Sequence, residues 1–150
     1  MASTLTQLLV HLVFSTKNRE ARISDDLQEP LYAYLGGLVR SERCWLLAIG
    51  GVADHVHLLV RLRPDVALAS LVRKLKANSS RWINEGRDDG ERFAWQAGYG
   101  AFSVSESQAS GVRRYIARQP EHHRKRTFRE EYMALLRKHG VEFDERYLLG

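Results

Sequence analysis

Four stretches of the chain are rich in β-branched and aromatic residues, and each has the length of a strand. They are residues 5–16, 44–52, 55–62 and 93–105. A short turn near Gly50, Gly51 and Asp54 is expected to join the second stretch to the third, and glycines in the fourth stretch predict a bend. The pattern therefore predicts four strands, two of them in immediate succession.

Apolar residues at helical spacing lie between these strands. Ser24 is placed to cap a helix that runs through LQEPLYAYLGGLVRSE, and another helix is expected from Pro64 and Asp65 to about Glu85. The order of elements is then β-α-β-β-α-β. This is the ferredoxin-like arrangement, in which helices cover one face of an antiparallel sheet.

Two more helices are predicted after the last strand. Capping-box patterns mark their starts, SESQ at 105–108 and TFRE at 127–130. Pro120 is expected to end the first of these helices, and Gly140, after a basic last turn, the second. The predicted fold class is therefore α+β, a ferredoxin-like sheet with additional C-terminal helices.

The composition is that of an ordinary globular protein, with 44% apolar and 27% charged residues. A length of 150 residues favours one domain, with a core of about 5–120 and a helical extension of about 121–150. We expect no signal peptide and no membrane span, because the sequence lacks both patterns. Cys44 is the only cysteine, which excludes an internal disulfide and a thiolate-rich zinc site and favours a cytoplasmic location.

His55 and His57 lie one residue apart in the apolar third strand, VADHVHLLV. Side chains alternate between the faces of a strand, so both imidazoles point to the same open side of the sheet, about 7 Å apart at the backbone. Two imidazoles at this spacing can hold one metal ion, although the bare motif also occurs in unrelated proteins. Asp54 is a candidate to orient one imidazole, and His11 is expected to be structural.

Tyr115 and Gln119 form a second candidate pair. They lie four residues apart in GVRRYIARQPEHH, on the helix predicted before Pro120, and therefore share one helix face. A tyrosine oxygen can act as a covalent nucleophile, and a glutamine carbonyl is a hard oxygen ligand. Taken alone, a packing tyrosine and a solvated glutamine are the simpler interpretation. His122 and His123 follow directly and could flank the same site.

Together these segments resemble a known family. The DHVHLLV strand, the basic helix after it, the WQAGYGAFSVS strand and the YIARQ helix are similar to those of the HUH single-tyrosine transposases. Insertion sequences of the 200/605 group and REP-associated transposase genes encode these enzymes, and this chain looks closest to the REP-associated branch. The resemblance covers nearly the whole chain and implies cleavage and rejoining of single-stranded, hairpin-forming DNA ends.

The resemblance also implies a role for each candidate residue. His55, His57 and Gln119 would bind Mg²⁺ or Mn²⁺, and their nitrogen ligands favour Mn²⁺. Tyr115 would attack a phosphodiester, leaving a 5′-phosphotyrosine and a free 3′-hydroxyl. All four positions are filled, so an active enzyme is expected.

Net charge of +5 and a sequence pI of about 9.6 favour a polyanionic partner, with nucleic acid ahead of an anionic membrane. The predicted DNA-binding residues follow the first strand, lie off the apolar stripe of the second helix, or neighbour Tyr115. They are Lys17, Arg19 and Arg22; Arg73, Lys74, Lys76 and Arg81; and Arg113 and Arg114. The last two, with Arg118, are also expected to lower the pKa of Tyr115, because a neighbouring cation stabilises the phenolate. The sequence indicates no general base for this tyrosine.

Insertion-sequence members of the family are typically dimers in which the tyrosine helix of one subunit serves the histidine pair of the other. We therefore expect a homodimer, with a monomer as the alternative. Three other functions stay open. One is a rolling-circle replication initiator, which usually has further domains; another is a metal-dependent phosphohydrolase of small molecules, which the basic helix and the lack of a Gly-rich phosphate loop disfavour; the last is a non-catalytic ferredoxin-like module that binds nucleic acid. The module would need aromatic residues on the open sheet face, where the histidines are predicted instead.

Overall fold

The computed structural model of the protein describes residues 3–87 and 90–148. Its strands and helices alternate in the predicted order and continue into three C-terminal helices. They are β1 (Leu8–Ser15), α1 (Asp25–Ser41), β2 (Trp45–Val52), β3 (His55–Leu62), α2 (Leu68–Glu85), β4 (Gly100–Val104), α3 (Ala109–Ala117), α4 (Gln119–His122) and α5 (Phe128–Lys138). No helix in the described part of the chain is long and apolar enough to cross a membrane.

The four strands form one sheet in the order β2-β3-β1-β4, and every neighbouring pair is antiparallel. This confirms the ferredoxin-like fold class. Ser24 caps α1 as predicted, because its side chain accepts a hydrogen bond from the backbone of Leu27. Helices α1 and α2 cover one face of the sheet. They bury an apolar core against alternate residues of the strands, including Leu12, Phe14 and Leu58.

The other face of the sheet is covered as well, which corrects the prediction of an open side. Helices α3, α4 and α5 lie over it and bury two smaller apolar clusters, one around Phe102 and Tyr132 and one around Leu59 and Ile116. The histidines of β3 are therefore in the interior of the protein. An alternating strand pattern could not distinguish this arrangement, because buried imidazoles and exposed ones read alike in sequence.

The fourth strand is shorter than the predicted stretch of 93–105 and contains only Gly100–Val104. The side chain of Asn84 forms hydrogen bonds with both backbone groups of Phe93: it accepts from the N–H at 2.7 Å and donates to the carbonyl at 3.0 Å. Trp95 makes one isolated bridge to Thr16, the residue after β1. Side-chain hydrogen bonds thus replace the ladder that a longer strand would have formed.

One capping box is confirmed and the other is wrong. Thr127 and Glu130 make both reciprocal bonds of the box at the start of α5. Ser105 makes no capping bond to the described residues that follow it; its hydroxyl pairs with that of Ser107, and residues 106–108 form a 3₁₀ turn before α3. The helix predicted up to Pro120 is also interrupted, since α3 ends at Ala117 and α4 begins at Gln119.

Candidate active site

The paired histidines lie at one end of the central strand β3. His57 is opposite Val13 of β1 and Gly50 of β2, and His55 is opposite Ser15 and Val52. Both imidazoles point to the face covered by the C-terminal helices, and both are completely buried.

Two strand glycines allow the C-terminal helices to approach this face. A Cβ at Gly50 would collide with the backbone carbonyl of Ile116 in α3, and one at Gly100 with the Tyr132 ring of α5. Gly50 lies inside β2, within the predicted strand of 44–52, and the turn predicted near Gly50 follows Val52 instead. The absent side chain allows α3 to contact the sheet, and Tyr115 precedes Ile116 on that helix.

Glu131 of α5 is at the centre of the site, although it was not among the predicted site residues. One carboxylate oxygen accepts hydrogen bonds from Nε2 of His57 and of His123, each at 3.1 Å, and lies 3.3 Å from Nε2 of His55. The other oxygen accepts from the Tyr115 hydroxyl and, at 2.9 Å, from the Gln119 amide. The phenol and both imidazoles predicted for the site therefore converge within one chain, on one fully buried carboxylate.

The two imidazoles have opposite titration behaviour. Burial lowers the pKa of His55, but hydrogen bonds to Asp54, Glu131 and Gln119 outweigh it and raise the value to about 9. For His57, burial dominates over the Glu131 carboxylate and lowers the pKa to about 4. Although burial alone would raise it, hydrogen bonds from His123, His55 and His57 hold the pKa of Glu131 well below its usual range.

Tyr115 does not have the lowered pKa that was predicted. Burial and the Glu131 charge raise its pKa above the ordinary tyrosine value. The cation that opposes this rise is Arg126, from the segment before α5, and not one of the sequence neighbours Arg113, Arg114 and Arg118, which are exposed. The phenol is therefore held neutral in the resting protein, donating its proton to Glu131.

The donor atoms fit a divalent ion. Nε2 of His55, Nε2 of His57 and a Glu131 oxygen lie within 4.8 Å of one another, and Gln119 Oε1 is 2.8 Å from His55 Nε2. Two imidazole nitrogens combined with carboxylate and amide oxygens suit Mn²⁺, and the oxygens also suit Mg²⁺.

The Nδ1 atoms of His55 and His57 point away from the centre of the site, and each has a hydrogen-bond partner. Asp54 lies 2.7 Å from His55 Nδ1, as expected, and His11 Nε2 lies 2.8 Å from His57 Nδ1. Such contacts fix the orientation of an imidazole and leave its other nitrogen directed at the site.

The predicted DNA-binding residues are spread over the molecule. Lys17 and Arg19 follow β1 at the sheet end where His55 lies, and Arg113 and Arg114 are exposed on α3. Arg22 is paired with Glu20 and Glu91. The remaining four lie on α2, across the sheet from the site: Arg73, Lys74, Lys76 and Arg81.

Two of the α2 cations already have protein partners. Lys74 forms an ion pair with Glu42, and the half-buried Lys76 donates to the carbonyls of Gln96 and Gly98 at 2.6 and 2.9 Å. The geometry therefore gives Lys76 a structural role, and a phosphate contact by the α2 residues stays a prediction.

Similarity to known proteins agrees with this geometry. The family model for IS200-like transposases matches residues 4–119. The chain belongs to that family. Membership makes the protein a DNA-binding enzyme of transposition and recombination that cleaves and transfers DNA strands, of the kind carried by mobile elements.

Curated relatives agree at the level of sequence. The chain is 26% identical over 120 residues to the ISDra2 transposase TnpA of Deinococcus radiodurans, covering 75% of this chain and 84% of the relative. It is 26% identical over 126 residues to the transposase of the IS200 element of Salmonella typhimurium, covering 81% and 82%.

Solved structures agree at the level of fold. A crystal structure from Deinococcus radiodurans described as a transposase superposes with a TM-score of 0.64 at 24% identity, covering 79% of this chain and 95% of the other. A REP-associated tyrosine transposase bound to a REP hairpin gives a TM-score of 0.62 at 15% identity, covering 82% and 74%.

A signal for Glu131 was present in the sequence. Phe128, Tyr132 and Leu135 form part of the apolar stripe of α5, and Glu131 lies on that same stripe, three residues after Phe128. A carboxylate on the buried side of an amphipathic helix needs a partner, because burying it unpaired is very costly. That pattern alone is enough to mark Glu131 as a candidate site residue.

Proposed function

We propose that this transposase cleaves and rejoins single-stranded DNA at hairpin-bearing ends through a 5′-phosphotyrosine on Tyr115, with a divalent ion bound by His55, His57 and Gln119. The observation that carries the proposal is the convergence of the Tyr115 hydroxyl and both imidazoles of the same chain on Glu131. A hairpin substrate is supported by the structural neighbour, which is bound to a REP hairpin.

The covalent step begins at the Tyr115 hydroxyl. Its oxygen attacks the phosphorus while its proton passes to the Glu131 carboxylate, which already accepts the hydrogen bond. The bond from phosphorus to the 3′-oxygen breaks, and that oxygen takes the proton from Glu131 to become a free 3′-hydroxyl, which returns Glu131 to the carboxylate form. The phosphodiester energy is kept in the tyrosyl ester, so another 3′-hydroxyl can reverse the step and join new ends without ATP.

The surrounding residues hold this chemistry in place. When bound, the divalent ion would neutralise a non-bridging phosphate oxygen and stabilise charge on the leaving oxygen. Asp54 and His11 hold the outer nitrogens of His55 and His57, so both imidazoles keep Nε2 directed inward. Complete burial of the histidines keeps bulk water away from their ring nitrogens, which strengthens their electrostatic contacts in the site.

We also propose that the site works within one subunit. Tyr115 reaches Glu131 beside the histidines of its own chain, so the nucleophile and the ligands need no second copy. Homodimer formation stays a prediction, but shared sites are not required. Mixing a His57→Ala protein with a Tyr115→Phe protein is expected to leave cleavage at zero, whereas restored cleavage would show that subunits exchange their tyrosine helices.

Formation of the covalent adduct tests the proposal directly. Labelled single-stranded hairpin DNA, with randomised loop and flanks, is incubated with the protein and Mn²⁺ and separated under denaturing conditions. We expect a denaturation-resistant protein–DNA band that Tyr115→Phe abolishes, while the matched control Tyr147→Phe, at an exposed tyrosine, retains it. An undiminished adduct in Tyr115→Phe would remove that residue from its role.

A further inference from the structure

A basic cavity of about 550 Å³ lies around α4. Its lining combines four cationic side chains, one carboxylate and one imidazole. They are Arg118, Glu121, His122, Arg124, Lys125 and Arg126. We call this set the α4 pocket. Its cations all differ from the predicted DNA-binding residues.

The α4 pocket adjoins the proposed nucleophile. The His122 ring lies against the Tyr115 ring, with centroids 4.8 Å apart and planes tilted by 31°. Arg126 acts on the same phenol and opposes the rise of its pKa. A group bound in the α4 pocket would therefore lie directly beside a phosphate held at Tyr115.

His122 provides an independent indication of a ligand. Its Nε2 is buried and has no hydrogen-bond partner among the residues that the structure describes. Buried polar atoms are nearly always paired, so an orphaned one calls for a group supplied from outside the chain. An oxygen acceptor suits it, because the cavity around it is lined mainly by cations.

We propose that the α4 pocket binds a backbone phosphate next to the one that is cleaved. Arg124, Lys125 and Arg118 provide its charge, and His122 Nε2 donates to one of its oxygens. The identity of the ligand as a DNA strand rests on the proposed function. The phosphate path is thereby placed on the side of α3–α5, across the sheet from the basic residues of α2.

The salt dependence of binding tests this assignment without requiring cleavage. The probe is oligo-dT, whose affinity is measured by fluorescence anisotropy at several salt concentrations. Each lost phosphate contact on single-stranded DNA reduces the slope of log K against log salt by about 0.7. Because both side chains would contact the same phosphate, the Arg124→Gln/Lys125→Gln protein should lose about 0.7 from that slope. Both side chains lie at the surface of the cavity, so folding should be unaffected.

The matched control is Arg40→Gln/Arg43→Gln, which removes two exposed arginines at and just after the end of α1, across the sheet from the site, and should leave the slope unchanged. His122→Phe keeps a ring beside Tyr115 but removes the nitrogen, and should weaken oligo-dT binding several-fold. An unchanged slope in the Arg124/Lys125 variant, or an equal loss in the α1 control, would overturn the proposal. A slope that falls as expected while no DNA ever forms an adduct would instead reject the proposed function and leave the α4 pocket in place.

Discussion

The two faces of the sheet bury side chains of different chemistry. The face under α1 and α2 packs aliphatic and aromatic side chains around residues such as Leu58, and buries no histidine or carboxylate among the described residues. The face under α3–α5 has two smaller apolar clusters and, beside them, three imidazoles, an amide and a carboxylate with little or no exposure.

The difference separates stability from chemistry. Apolar burial is favourable wherever it occurs, so the first face contributes to folding without constraining function. Buried polar groups are stable only when every partner is present, and Glu131 with its five donors meets that condition. The candidate active site is therefore located where burial is most demanding, and changes there should affect activity as well as stability, whereas changes on the first face should affect stability alone.

Leu58 and Leu59 give the largest expected effects and compare the faces directly, since these fully buried neighbours point to opposite sides of β3. Either change to Ala should cost about 2–5 kcal/mol of unfolding free energy, because both leave a cavity. Only Leu59→Ala should also reduce adduct formation in the remaining folded protein, since Leu59 packs under α3 with Ile116. Urea denaturation and the adduct assay measure the two quantities. Equal loss of activity in both variants would contradict the separation.

The pH dependence of stability should come from the second face. Burial lowers the pKa of His57 to about 4 and, with the His57 charge, that of His11 to about 3, so the unfolded chain binds more protons below about pH 6.5. The contribution of His57 and His11 to the free energy of unfolding is present above about pH 6.5 and is lost as the pH falls toward 4.

His55 acts in the opposite direction. Its pKa of about 9 gives a contribution that is present below about pH 6.5 and is lost as the pH rises through 9. The metal-free protein should thus be most stable near pH 6.5, where its free energy of unfolding should exceed the values at pH 4 and pH 9 by a few kcal/mol. Urea denaturation at a series of pH values measures this difference. His11→Gln should reduce the loss of unfolding free energy between pH 6.5 and pH 4, because it removes one of the two imidazoles whose pKa burial lowers. A profile that is level from pH 4 to 9 would show that these imidazoles do not titrate as the structure indicates.

Glu131→Gln should weaken Mn²⁺ binding at least tenfold, measured by calorimetry. The change keeps the shape of the side chain but removes the charge that faces His55 and His57. The control is Glu130→Gln, at the neighbouring residue, which preserves a capping box and should bind Mn²⁺ normally. Equal affinity in both variants would exclude Glu131 as a metal-site residue.

The helix caps give the smallest contrast. Ser24→Ala on α1 and Thr127→Ala on α5 each remove one capping bond and should cost about 1 kcal/mol of unfolding free energy. Thr127→Ala should in addition lower the Mn²⁺ affinity, because α5 carries Glu131. If Ser24→Ala lowers the affinity as much, the site depends on overall stability and not on the placement of α5.

The order of strands and helices was accessible from local patterns. Period-2 and period-3.6 spacing predicted β1–β3, α1 and α2, and the TFRE box predicted the start of α5. Prediction failed where side-chain hydrogen bonds replaced the expected strand pairing or helix cap. The Asn84 side chain binds the backbone of Phe93 within the predicted fourth strand, which is shorter than expected. The Ser105 hydroxyl, expected to cap α3, pairs with the Ser107 hydroxyl instead.

Sequence spacing alone determined that His55 and His57 share a side of one strand, because side chains alternate along a regular strand. The spacing of Tyr115 and Gln119 predicted a shared helix face, but the helix is interrupted between them, and both side chains meet at Glu131 through tertiary contacts. Only the tertiary structure decided that these sides meet, that the meeting point is buried, and that Glu131 lies between them. A carboxylate sixteen residues after the tyrosine becomes its partner only when α5 folds back over the sheet, and no local pattern encodes that contact.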